Sequence, residues 1–378
     1  MKKVAVITFF QSLDNYGQLL QCFALQKTLQ KLGTSPYVIR YGFHRPYCLW
    51  LQWRILFSRT GLYLIRKNVE SFYHEYIKTK SPNRRFNSFR HNHIVFSHRC
   101  YNSLEDLQRN PPKADIYITG SDQVWAQLLS SHNNRSFFLD FGENSIKRIA
   151  YAPSFAIEDY PNELLGELSI LLNNFDAVSV RETTGVTICK KVGIHAHLVL
   201  DPTLLLTPDD YNFVSATAAN DKYCFAYHVN ITTSEELRWA SVSKYNERHG
   251  IISYATFANP QDNIDMKILV GAEYVYPTIP QWLGWIKNAE YVLTSSFHGI
   301  AFSILFHVPF VACLRKKSMY AGNDRITTLL TSLCLDYRII SSDSGIESIL
   351  SRKIDWYEVD KRLFELRKDS IAFLSRNI

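Results

Sequence analysis

The chain has 378 residues, 46% of them hydrophobic and 20% charged, with a net charge of +7. That length exceeds one ordinary domain, and the composition is that of a globular protein with a sizeable core, so two domains are expected. No run approaches the ~20 apolar residues of a membrane-spanning helix; seven scattered cysteines without a C-x-x-C pair argue against a disulfide framework or a structural zinc site and for a reducing cytoplasm.

Residues 3–9 form a short apolar run, too brief for a secretory leader and expected to be the first strand. The polar loop 11–17 follows, and residues 18–32 show helical spacing ended by Gly33. A second strand is expected at 36–39, so the chain opens β-α-β, the unit of parallel sheets covered by helices. Residues 47–77 read as a basic, aromatic helical stretch broken near Gly61, with Trp50, Trp53, Phe57, Tyr63, Phe72, Tyr73 and Tyr76 among arginines and lysines. Between residues 40 and 101, twelve Lys and Arg face only Glu70 and Glu75, a local charge of +10. An anionic partner for this segment follows, either an anionic membrane surface or none if the stretch is a core helix with a solvated basic face. Nucleic acid is not expected, since the charges sit in one aromatic segment without a known module.

Further strands are expected at 114–119, 149–152, 177–180 and 198–200. Each ends in polar or charged residues, where open α/β sheets place their ligands. The second half begins with a strand at 223–229, a helix at 234–249 and a strand at 251–256. A helix at 280–289, a strand at 291–294, a helix at 300–306 and a strand at 309–313 follow, with a terminal helix over 355–374. The fold class is therefore α/β: two doubly wound domains facing across a cleft, over residues 1–205 and 222–350, with a terminal helix at 355–378.

There is no G-x-G-x-x-G, no G-x-x-x-x-G-K-[ST], no D-x-D and no G-x-S-x-G, so dinucleotide, P-loop, metal-dependent glycosyl-transfer and hydrolase-elbow chemistry lack support. His195 and His197 alternate without a third metal ligand and read as loop histidines. Four strand ends remain. His298, in Ser296-Phe297-His298-Gly299, lies at a strand-to-helix turn that favours an anion and carries a near-neutral proton donor, unless it merely caps the helix. Arg181 can grip a carboxylate or phosphate, or pair with Glu182. Asp122, beside Gln123 and Trp125, is a base or an N-cap. Asn15, Tyr16 and Gln18 open the first helix and bind phosphate or sugar, or only cap it.

Taken in order, Asn15-Tyr16-Gly17, Gly120-Ser121-Asp122-Gln123-Val124-Trp125, Tyr151-Ala152-Pro153-Ser154-Phe155, Ser179-Val180-Arg181-Glu182, Leu200-Asp201-Pro202-Thr203, Ser296-Phe297-His298-Gly299 and Asp324-Arg325-Ile326 resemble the polysaccharide pyruvyltransferase family. The resemblance implies two Rossmann-like domains arranged as in GT-B glycosyltransferases. It also implies phosphoenolpyruvate as donor, a sugar acceptor, a cyclic pyruvate ketal as product, and neither cofactor nor metal. Many members have Arg-Leu-His where this chain has Ser296-Phe297-His298, so a donor-binding arginine is missing, and Arg325 or Lys316 is a candidate to replace its charge. The expected donor side is Arg181, Ser296, His298, Gly299, Arg325 and Lys316. The expected acceptor side is Asn15, Tyr16, Gln18, Asp122, Gln123, Trp125 and Ser154. His298 is expected to act as acid and phosphate partner, Arg181 as clamp and Asp122 as base. A lipid-diphosphate-linked capsular or exopolysaccharide precursor would account for the basic segment and would place the enzyme in the cytoplasm at the inner face of the membrane. The alternatives are a GT-B-like glycosyltransferase using a nucleotide sugar and a non-catalytic polyanion- or lipid-binding protein.

Overall fold

The structure is a computed structural model that describes residues 1–11, 15–42, 84–126, 132–215, 221–258, 267–315, 322–341 and 345–378. The basic aromatic segment 47–77, most of the 40–101 charge cluster and Lys316 lie outside the described residues. Two sheets, parallel in every pairing, carry the fold. The first has the order β3-β2-β1-β4-β5-β6-β7 and the second β10-β9-β8-β11-β12.

In the first sheet the strands are β1 (Lys3–Ile7), β2 (Ser35–Tyr41), β3 (Phe96–Tyr101), β4 (Ile116–Thr119), β5 (Lys147–Ala150), β6 (Ala177–Val180) and β7 (His197–Leu198). Central strands such as Val4-Ala5-Val6-Ile7 and Ile116-Tyr117-Ile118-Thr119 are buried throughout, because helices cover both faces of a parallel sheet. The edge strand β3 reads Phe-Ser-His-Arg-Cys-Tyr and exposes its middle, so no apolar run announces it in the sequence. Helices α1 (Tyr16–Lys31), α2 (Phe86–His93), α3 (Leu104–Arg109), α4 (Leu165–Leu172) and α5 (Thr183–Lys191) belong to this half.

The second sheet comprises β8 (Tyr223–His228), β9 (Ile252–Phe257), β10 (Glu273–Tyr274), β11 (Tyr291–Thr294) and β12 (Phe310–Ala312). Its helices are α6 (Trp239–His249), α7 (Ile279–Lys287), α8 (Phe297–Leu305), α9 (Asp324–Ser332) and α10 (Ile346–Ser351). The helix expected at 234–249 is two pieces: a 3-10 turn Ser234–Leu237 and α6, separated by Arg238 in the left-handed region at φ 52°. The helix expected from residue 300 starts earlier, at Phe297, so His298 stands in its first turn.

Helix α11 (Trp356–Asn377) spans both halves. Trp356 stacks on His307 of the second half, 5.0 Å between centroids, while Arg367 donates to the Leu204 carbonyl and Ser370 Oγ accepts from the Leu200 amide of the first. Between the halves, Tyr16 stacks on Trp282 at 5.0 Å and 9° and donates its hydroxyl to the Pro277 carbonyl at 2.7 Å. Arg84 reaches across to the Phe257 carbonyl at 2.7 Å. One cluster of buried apolar side chains runs through both halves, including Tyr16, Phe86, Tyr227, Trp282 and Phe302.

Candidate functional site

An open parallel sheet offers a crevice at the carboxyl ends of its strands, where the strand order reverses. In the first sheet that reversal falls between β1 and β4, and in the second between β8 and β11. Ser121 and Asp122 follow β4, Ser154 follows β5 and Arg181 follows β6. Ser295, Ser296 and His298 follow β11. The two crevices meet there.

Asp201 joins them. Its Oδ2 accepts from Arg181 Nη1 at 2.6 Å and from Ser121 Oγ at 2.7 Å. Its Oδ1 accepts from the Thr203 amide and hydroxyl at 3.0 and 2.7 Å and lies 3.8 Å from His298 Nε2. Burial opposes its ionisation, yet His298, Arg181, Ser121 and Thr203 hold the carboxyl down at about 2. The Arg181 side chain is 1% exposed; Nη2 reaches Asp122 Oδ1 at 3.3 Å and Nε lies 4.0 Å from Glu182 Oε2. Burial works against the Arg181 charge, and the three carboxylates more than restore it. Arg181 thus faces internal carboxylates, not the open crevice.

Glu182 is fully buried. Its Oε1 accepts from the Phe155 amide at 2.9 Å, Oε2 has no hydrogen-bond partner, and burial raises its pKa against the pull of Arg181 and Arg325. Asp122 takes the left-handed φ of 80°, which turns its carbonyl to the Ser154 amide at 2.9 Å while its carboxylate faces Arg181. The loops after β4 and β5 are laced together by this bond and by Trp125 N–H to the Ser154 carbonyl at 3.2 Å.

His298 sits in the first turn of α8, whose N-cap Ser296 accepts from the Gly299 amide at 3.4 Å. Burial pulls its imidazole down to about 4, further than Asp201 and Asp122 push it back. The ring is therefore neutral at pH 7, and its buried Nε2 has no hydrogen-bond partner. Gly17 makes room for it: a Cβ there would overlap the His298 ring. Gly299 has a packing reason of its own, since a Cβ would stand 2.5 Å from Thr294 Oγ1. Arg325 Nη1 lies 3.9 Å from Asp122 Oδ1, and burial followed by the charge of Arg181 lowers its pKa to about 10.

Asp122, Ser154, His298, Arg325 and the N-cap Ser296 are thus brought together with Arg181 and Asp201 at the strand ends. Tyr16 and Trp125 are not open to an acceptor. Tyr16 is wholly buried between the halves, and Trp125 donates to the Phe137 carbonyl at 3.0 Å and stacks on Phe138. Asn15 caps α1 by accepting from the Gln18 amide, and Gln18 is half-buried. Asp201 and Ser121, the centre of the network, stand in the sequence only inside the Leu200-Asp201-Pro202-Thr203 and Gly120–Trp125 stretches with no role of their own, and Glu182 only as a pairing partner of Arg181, a pairing that the structure makes buried rather than exposed. His195 and His197 lie 5.0 Å apart by ring centroid, and among the described residues no three His, Cys, Asp or Glu side chains are grouped to hold a metal ion. A hollow of about 650 Å³ lined by Gln108, Asp140, Glu143, Arg148 and Asn174 opens at the amino ends of β5 and β6, away from this network.

A family model described as polysaccharide pyruvyl transferase matches residues 15–316. No curated protein matches the chain. Among solved structures, UDP-GlcNAc 2-epimerase from Neisseria meningitidis bound to UDP-GlcNAc aligns at TM-score 0.48 and 9% identity over 100% of both chains. UDP-GlcNAc 2-epimerase from Methanocaldococcus jannaschii aligns at 0.46 and 11%, covering 97% of this chain and 100% of that one. Arabidopsis thaliana UGT89C1 with UDP-L-rhamnose aligns at 0.47 and 11%, covering 98% and 94%. Among the described residues no helix is long and apolar enough to cross a membrane.

Proposed function

The chain belongs to the polysaccharide pyruvyl transferase family, and from that premise we propose that it moves the pyruvyl group of phosphoenolpyruvate onto a sugar of a lipid-diphosphate-linked capsular or exopolysaccharide precursor, closing a cyclic ketal. The observation that carries this reading is the buried chain Arg181–Asp201–His298, which links the strand ends of both sheets and presents an unpartnered imidazole nitrogen.

The chemistry divides among side chains already in place. A proton must reach the methylene carbon of the donor so that the adjacent carbon becomes oxocarbenium-like. His298 is neutral in the empty site, so it takes up that proton as the anionic donor enters beside it; an opposite charge favours the imidazolium. The first sugar hydroxyl adds to the cationic carbon and gives its proton to Asp122. The carbon–oxygen bond to phosphate then breaks, and a second hydroxyl closes the ketal. Of the two hydroxyl protons, one is balanced on the new methyl group and the other on phosphate. Arg181 acts from within by orienting Asp122 and Asp201, leaving Arg325 as the guanidinium that meets the donor. Fixed cationic donors of this kind stabilise charge that develops as phosphate departs. The reaction as written draws its positive charge from side chains and calls on no cofactor.

The test is incubation with phosphoenolpyruvate and lipid-linked oligosaccharides, read by phosphate release and by mass spectrometry for one added pyruvate less water. His298→Ala is expected to lower the rate ~10²–10⁴-fold, the range for losing a positioned proton carrier. Activity near wild type in that variant removes His298 from the mechanism. Thermal stabilisation by nucleotide sugars and none by phosphoenolpyruvate would replace this reading with glycosyl transfer.

A further inference from the structure

Beside the Arg181–Asp201–His298 chain, three side chains converge on Gly322. A Cβ built on that glycine would stand 3.0 Å from Arg325 Nη2, 3.0 Å from the Gln123 side-chain amide and 3.3 Å from Arg315 Nη2. Two guanidinium groups and an amide therefore meet around one point. Gly322 makes this approach possible in two ways. It has no side chain to occupy the meeting point, and it holds the left-handed φ of 60° that glycine takes at least cost.

Like charges brought together under burial need an anion. Among the described residues the carboxylate nearest Arg325 is Asp122 at 3.9 Å, already engaged by Arg181 at 3.3 Å, and the one whose charge supports Arg315 is Glu236. Burial and the neighbouring arginines lower the pKa of Arg325, and burial lowers that of Arg315. The pair is held in place from behind. Arg325 Nε donates to the Gly322 carbonyl at 3.2 Å, and the Arg315 backbone is clasped by Asn323 through bonds of 3.1 and 2.9 Å. The Arg325 fork is thus oriented by its Nε bond and the Arg315 backbone is fixed, while Nη2 of each lies toward the common point. Paired guanidinium forks match the tetrahedral oxygens of a phosphate, which a single point charge does not.

We propose that Arg315, Arg325 and Gln123, grouped around Gly322, form the subsite for a phosphate group. Resting on the function proposed above, this subsite takes the phosphate end of the donor and retains inorganic phosphate as product. The donor's carbon end then points inward, toward His298 and Asp122. Gln123 accordingly serves the donor rather than the sugar. Inorganic phosphate is expected to compete with phosphoenolpyruvate, and pyruvate, which lacks the group, is expected to bind without using Arg315.

Isothermal titration of the full chain with inorganic phosphate and with phosphoenolpyruvate tests the assignment. Arg315→Gln is expected to weaken both at least tenfold, and Arg315→Lys to recover part of that loss by keeping the charge without the fork. Arg315 is partly exposed, and matched melting curves for the two variants check that the fold is intact. Unchanged phosphate affinity in Arg315→Gln overturns the subsite, and if that variant also binds phosphoenolpyruvate normally the donor reading stands without it. Wild-type protein that binds phosphate through Arg315 but not phosphoenolpyruvate keeps the subsite and removes the donor reading. Binding of neither removes both.

Discussion

Asp201 is fully buried, yet it touches more of the site than any exposed residue does. Replacing it with alanine strips Arg181 of its shortest ion pair and leaves that guanidinium enclosed with Asp122 at 3.3 Å and Glu182 at 4.0 Å. Removing one partner of a buried pair costs about 3–5 kcal/mol. Asp201→Ala should therefore lower the unfolding free energy by that amount in urea titration as well as abolish turnover. His228 makes a separate prediction. Burial lowers its pKa from 6.5 to about 4, so the unfolded chain binds the proton first as pH falls. This stability contribution is intact above pH 6.5 and is lost between pH 6.5 and 4, by at most about 3 kcal/mol. His228→Gln should flatten the loss in an acid titration followed by circular dichroism; an unchanged slope would show that another group carries it. At this scale the sequence marks His298, Arg181 and Asp122 because strand ends are where open sheets keep polar residues. It does not mark Arg315, which belongs to no motif and acquires meaning only by meeting Arg325. Nor does it separate Tyr16 and Trp125 from sugar-stacking aromatics, since a ring buried in a core and one open to a ligand have the same residue type.

Helix ends carry the site more than helix bodies do. The N-terminus of α1 supplies Gly17 against which the His298 ring rests, and α8 supplies the ring itself. Gly17→Ala is informative because its two effects have opposite signs. Alanine favours a helix over glycine by about 1 kcal/mol, while its methyl group would displace the imidazole. We expect the melting temperature to change little and kcat to fall toward that of His298→Ala; a variant of normal activity would show that the ring has room to move. A second helix end, that of α5, is held by Asp324 of α9, which accepts from the Thr184 amide at 3.0 Å and its hydroxyl at 2.6 Å. Most elements are legible from periodicity, and β6 and β11 occupy the expected residues. The helix expected at 234–249 failed at Arg238 because apolar spacing continues through a residue whose backbone has turned left-handed. The edge strand β3 failed because a strand with exposed His, Arg and Cys lacks the apolar signature of a buried one.

On the scale of the molecule, the two halves share a core rather than merely facing one another. Phe373 of α11 is 6% exposed and packs 6.3 Å from Tyr151 and 5.3 Å from His197 by ring centroid. Phe373→Ala should cost about 3–5 kcal/mol, the range for emptying a buried phenylalanine site. With a common core it should shift one unfolding transition in calorimetry, whereas two separated transitions would mean that the halves melt independently. The two-sheet plan was readable because parallel strands are apolar along their length. The shared core was not, because Tyr16, Arg84 and Trp282 find one another only after both sheets exist.

Helix α11 also ties the two halves together a second time. The polypeptide passes from one half to the other between β7 and β8 and returns as α11 to Leu200 and Leu204. A body joined to another by a single thread can swivel in any direction. One joined at two places can only swing about the line through both, like a door on its jamb. Movement of one half against the other is thereby restrained at two places, and with it the 3.8 Å spacing of Asp201 and His298.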